Sequence, residues 1–147
     1  RIQRVLVTVG GTDAHRLMPK LVERLIRTTS DLTMTAVVGP FFDFSSQPQR
    51  RLEVVTMPES LVSWMREADV AVSAAGQTLY ELACVGCPTI TVRTASNQDG
   101  QDAVFEKMGC MTSGNVSLHG IQCRNIVTNG ETLTRIQYIS HSLSLTM

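Results

Sequence analysis

Five short apolar runs punctuate the chain: "RVLVTV" (Arg4–Val9), "LTMTAVVG" (Leu32–Gly39), "LEVVTM" (Leu52–Met57), "DVAVSA" (Asp69–Ala74) and "PTITV" (Pro88–Val92). Each is rich in β-branched residues and too short for a buried helix, so each predicts a strand. Between them the apolar period changes. Leu17, Leu21, Val22, Leu25 and Ile26 recur at helical spacing, with Asp13 as a candidate N-cap and Pro19 tolerated in the first turn. Ser60–Ala68 predicts a short helix with Leu61, Trp64 and Met65 on one face, and Gln77–Val85 another, closed by Gly86 and Pro88. Asp99–Met108 predicts a helix stopped by Gly109, "CMTSG" a short sixth strand, and stretches near Ser117–Val127 and Glu131–Leu145 two last helices. Nearly continuous apolar strands alternating with helices predict an α/β, Rossmann-like three-layer αβα domain around a parallel sheet of about six strands.

The 147 residues suit one domain, 1–147. A chain of this length buries about 68–70% of its unfolded surface, enough to fold without disulfide or metal staples. Thirteen basic and thirteen acidic residues balance to zero. That argues against a nucleic-acid surface and a polybasic membrane patch, which need clustered positive charge. No apolar run approaches the ~18 residues of a membrane span. The apolar part of the N-terminal stretch, Val5–Val9, is too short for a secretory core of about 7–15 residues. The first residue is Arg, so the expectation is a piece of a longer protein. Cys84 and Cys87 form a C-x-x-C, but at a helix C-terminus, opposite to the end where the dipole activates a redox thiol. Cys110 and Cys123 do not complete a zinc set. The expectation is four buried, ordinary thiols in a reducing cytoplasm, with no metal and no cofactor.

In parallel α/β sheets ligands bind at the carboxyl ends of strands, so chemistry is sought in the loops that follow them. Gly10-Gly11-Thr12-Asp13 matches neither a P-loop nor a G-x-G-x-x-G, yet two glycines after a strand let a ligand approach the backbone. A tight turn capped by Thr12 or Asp13 explains it equally. "SAAGQTLYE" is richer. Ala74, Ala75 and Gly76 are small, and Gly76 opens a helix whose first amides attract anions. Thr78 and Glu81 share one helix face, where a hydroxyl can bind a phosphate and a carboxylate two ribose hydroxyls. The same Thr-x-x-Glu is also the signature of a capping box, and local sequence leaves the two readings open. Asn97 and Gln98 carry amides suited to sugar hydroxyls, or to a loop and N-cap. His15, His119 and His141 accompany no nucleophile motif, so no catalytic residue is assigned.

"AGQTLYELACVGCPTI" with the later "NQ" resembles the C-terminal half of nucleotide-sugar enzymes of two-domain GT-B architecture. The wider group includes the lipid II N-acetylglucosaminyltransferases. The chain is more similar to the UDP-sugar hydrolases of pseudaminic-acid biosynthesis and related spore-coat polysaccharide proteins. These share a "GGxD" turn, like Gly10–Asp13, and a "VxGP", like Val37–Pro40. Over Ala68–Gln98 they share a long pattern in which Gly76-Gln77-Thr78 has the hydrolase-like spacing, one residue shorter than in the transferases. The resemblance covers about Val5–Gly109. It implies one half of a GT-B fold that binds a UDP-sugar, or a related nucleotide diphosphate sugar, for a hydrolase or glycosyltransferase of surface polysaccharide biosynthesis. It implies that Gly76, Gln77 and Thr78 hold the diphosphate, with Ala75 beside them, and that Glu81 holds the ribose. Backbone at Met57 and Pro58 would meet the base, Asn97 and Gln98 the sugar, and Gly11 and Thr12 the phosphates. Many relatives have Gly or Ser at the positions of Ala75 and Gln77. The family's catalytic His lies in an N-terminal half that these residues do not include; that half is expected in the same chain or as a separate partner, and this domain alone is expected to be inactive. The alternatives are a non-catalytic binding subunit, or an α/β module without nucleotide binding.

Overall fold

The computed structural model describes residues 2–10, 16–28, 31–40, 51–74, 76–93, 111–117 and 120–123. In chain order these form β1 (Arg4–Thr8), α1 (Leu17–Thr28), β2 (Thr33–Val38), β3 (Leu52–Thr56), α2 (Val62–Glu67), β4 (Val70–Ala74), α3 (Gln77–Val85), β5 (Thr89–Arg93), β6 (Met111–Ser117) and β7 (Gly120–Cys123). The strands make one sheet in the order β3-β2-β1-β4-β5-β6-β7. The first six are parallel and β7 pairs antiparallel with β6. The expected parallel α/β sheet of about six strands is present, with an added antiparallel edge.

Strand residues alternate between two cores, as the period of two requires. Val5, Val7, Val9, Val70, Val72, Ile90 and Val92 share one cluster with Leu17, Met18, Leu21, Val22 and Leu25 of α1. Leu6 and Ala71 face the other way, against Met65 of α2 and Leu79 and Leu82 of α3. Helices therefore cover both faces, which is why the central strands read as unbroken apolar runs. Burying each of these larger side chains contributes about 1.5–3 kcal/mol. At the amino edge the Asp69 carboxylate accepts from the amides of Gln3 (2.7 Å) and Arg4 (2.8 Å), tying β1 to β4. Gly86 ends α3 in the left-handed region (φ 72°) while the Cys87 amide donates to the Leu82 carbonyl at 3.0 Å. That is a Schellman stop, and it follows from the Gly-x-Pro sequence.

Three expectations need correction. The helix expected near Ser117–Val127 gives way to strand β7 at Gly120–Cys123. A strand at the open edge of β6 satisfies backbone groups that a helix there would leave unpaired, and Gly120 suits a reversal. The sixth strand is longer than "CMTSG", running Met111–Ser117. Cys84 is exposed rather than buried, because α3 turns only Leu79 and Leu82 fully into the sheet; Cys87 is buried as expected. Asp13, the helix expected at Asp99–Met108 and the one at Glu131–Leu145 lie outside the described residues.

Candidate functional site at the carboxyl edge

β1 sits between β2 and β4, with Thr8 in register with Val37 on one side and Ser73 on the other. The chain leaves β1 toward β2, and leaves β4 in the opposite direction toward β5. The β1/β4 boundary is therefore the topological switch point, where diverging connections open a crevice at the carboxyl ends. Gly10 (φ 87°) follows β1 at this edge and Gly76 (φ 153°) follows β4.

Gly76 is the N-cap of α3 and, having no side chain, gives that end no cap of its own. Its carbonyl accepts from the Leu79 amide at 3.1 Å, so the amides ahead of Leu79 have no intrahelical acceptor. The first turn carries no acidic residue to oppose an anion. Among the described residues, a Cβ built on Gly76 would meet no atom within 4 Å. Gln77 is exposed, Thr78 half-buried and Glu81 exposed.

The helix start bears on the capping-box reading of Thr-x-x-Glu. A capping box places Thr at the N-cap and Glu at the third helical residue. With Gly76 as N-cap, Thr78 is the second helical residue and Glu81 the fifth. The pair is out of register for a capping box, so both side chains are left for other partners on one flank of α3.

Met57 and Pro58 follow β3 at the same edge. Met57 is held at φ 46°, its amide donating to the Val38 carbonyl at 3.1 Å and its side chain 61% exposed. β3 lies three strands from β4, about 14 Å at ~4.8 Å per strand. The structure thus gathers Gly76, Gln77, Thr78 and Glu81 on the first turns of α3 and sets Met57 and Pro58 farther along the same edge. Gly11, Thr12, Ala75, Asn97, Gln98 and the three histidines lie outside the described residues.

Two features of the region were not singled out from sequence. Thr8 and Ser73 are buried hydroxyl residues next to this crevice, and Thr91 of β5 continues their row. The available signal was a hydroxyl interrupting each apolar run. Cys87 is no nucleophile: burial, then the nearby Asp69 charge, pushes its thiol from the ordinary value of 9.0 to about 11. Among the described residues no group of three His, Cys, Asp or Glu is placed to hold a metal ion, and no helix is long and apolar enough to cross a membrane.

The same doubly wound fold makes up part of solved GT-B glycosyltransferases. The spinosyn rhamnosyltransferase SpnG, solved with thymidine diphosphate, matches with a TM-score of 0.64 over 96% of this chain and 36% of its own, at 12% identity. In sequence the chain is similar to the spore coat polysaccharide biosynthesis protein SpsG of Bacillus subtilis, 25% identical over 115 residues, 73% of this chain and 34% of SpsG. It is also similar to the pseudaminic acid cytidylyltransferase and UDP-2,4-diacetamido-2,4,6-trideoxy-beta-L-altropyranose hydrolase of Helicobacter pylori. There it is 31% identical over 107 residues, 73% of this chain and 20% of that protein. The chain thus spans about a third and about a fifth of these curated relatives. No protein-family profile matches it.

Proposed function

We propose that the chain is the donor-binding half of a nucleotide-sugar hydrolase or glycosyltransferase of surface-glycan biosynthesis, with a UDP-sugar as its ligand. The observation that carries this is the N-terminus of α3, opened by a glycine N-cap at the switch point, with Thr78 and Glu81 on one flank and out of capping-box register. The amides of Gln77 and Thr78, with the Thr78 hydroxyl, take the diphosphate; the dipole of α3 favours its charge. Glu81 takes the ribose hydroxyls, and backbone at Met57 and Pro58 meets the base. Gly11, Thr12 and Ala75 complete the phosphate side, and Asn97 and Gln98 the sugar side. Thymidine diphosphate in SpnG and the UDP-sugar hydrolase named for the Helicobacter pylori relative support the ligand class.

At the sugar–diphosphate bond, negative charge grows on the departing diphosphate. Fixed amides aimed at it stabilise that charge more than the ground state. The proton-transfer group and the acceptor or water come from the portion that the longer relatives carry, in the same chain or in a partner. The test is thermal denaturation with and without UDP. At a hundred times its dissociation constant UDP adds about 2.7 kcal/mol. Absence of any shift with millimolar UDP, thymidine diphosphate or CMP refutes the reading.

A further inference from the structure

Thr8, Ser73 and Thr91 lie side by side across β1, β4 and β5, in register, and are 3%, 1% and 0% exposed. Leu6 and Ala71, two residues before Thr8 and Ser73, pack against α2 and α3, so the pleat turns this row to the same face. The row sits one residue short of the carboxyl end of β4, three residues before the N-cap of α3. Elsewhere the described core of these central strands is aliphatic, apart from Thr89 at the amino end of β5.

Buried hydroxyls are costly unless bonded, so their arrangement carries information. Ser73 Oγ donates to the Ala74 carbonyl at 3.0 Å. That bond fixes the plane of the peptide leaving β4 toward Gly76, and thereby the direction from which α3 starts. The Thr89 hydroxyl is satisfied by the Cys87 carbonyl at 2.9 Å, and Thr91 is also engaged. The Thr8 hydroxyl is different: it has no partner among the described residues. A donor more than nine-tenths buried and without a partner among the described residues, on the face and at the end where α3 begins, is arranged for a group that arrives later.

Resting on the nucleotide reading above, we propose that Thr8 and Ser73 form the polar floor of the diphosphate subsite. Ser73 is a positioning residue that holds the strand-to-helix turn. Thr8 keeps its hydroxyl for a phosphate oxygen seated against the first turn of α3.

The experiment is calorimetric titration of the 147-residue chain and two variants, Ser73→Ala and Thr8→Val, with UDP and with uridine, alongside thermal melts. Loss of one hydrogen bond to or behind the diphosphate lowers UDP affinity about five- to tenfold in each variant. Uridine, which lacks phosphates, binds all three alike. Thr8→Val removes a buried hydroxyl that has no partner among the described residues, so its melting temperature equals or exceeds that of the wild type while its UDP affinity falls; a purely structural residue does not separate the two readouts in that way. Should Ser73→Ala not fold, Thr8→Val carries the test alone. Wild-type binding of UDP with unchanged affinity in Thr8→Val overturns the floor and leaves the nucleotide reading standing. No UDP binding by the wild type overturns both.

Discussion

Replacing Glu81 with Gln separates ligand binding from helix stability. In α3 the first helical residue is Gln77, so Glu81 lies four residues on, about 6 Å along the axis at 1.5 Å per residue. A diphosphate on the Gln77 and Thr78 amides therefore places the attached ribose beside the Glu81 carboxylate, on the flank that Thr78 also occupies. Glu81 is exposed, and its position as fifth helical residue removes it from capping. The stability of the free protein should change by less than about 0.5 kcal/mol, as for surface substitutions away from special features. In the proposed ribose role the carboxylate would accept from two hydroxyls with both oxygens, whereas Gln offers one oxygen and a misplaced donor. A hydrogen bond to a charged group is worth about 1.5–3 kcal/mol. UDP affinity should therefore fall about ten- to a hundredfold. Two titrations and two melts suffice. Equal UDP affinity in wild type and Glu81→Gln would refute the assignment of Glu81 to the ribose.

Gly76→Ala should destabilise by about 1–3 kcal/mol through backbone conformation, since φ 153° is unsuited to Ala while no described residue crowds the Cβ; denaturant unfolding measures it, and an unchanged midpoint contradicts it. Cys87 links stability to alkaline pH. Its folded value of about 11 exceeds the ordinary 9.0, so the thiol form is favoured by folding; the contribution is complete below pH 9 and is lost as pH rises toward 11. Unfolding curves at pH 8 and 10.5 should show a larger alkaline loss for wild type than for Cys87→Ala, and equal losses count against the shift.

Much of the fold is written in the chain's own periodicities. β1, β2, β3, β4, α3 and β5 fall within a residue or two of their expected bounds, because each apolar run is bounded by Gly, Pro or a polar turn. Strand β7 escaped detection: four residues, Gly-Ile-Gln-Cys, carry too little period to outvote a helix, and the edge of β6 is what recruits them. Cys84 was misplaced for a related reason. Whether a helix residue is covered depends on which flank meets the sheet, and α3 presents only a narrow stripe.

For the site, sequence alone named Gly76, Thr78 and Glu81 but left them between a ligand role and a cap. Both readings need the same residues at the same spacing, so no local pattern separates them. The start of α3 at Gln77 puts the pair out of capping-box register, and that start depends on how β4 delivers the chain to Gly76. The Thr8–Ser73–Thr91 row lies further still from sequence. Its members are 65 and 18 positions apart along the chain, and only the parallel register of three strands makes them neighbours. A short-range pattern fixes which residues can form a strand or open a helix; register, a property of the assembled sheet, decides which of their side chains meet.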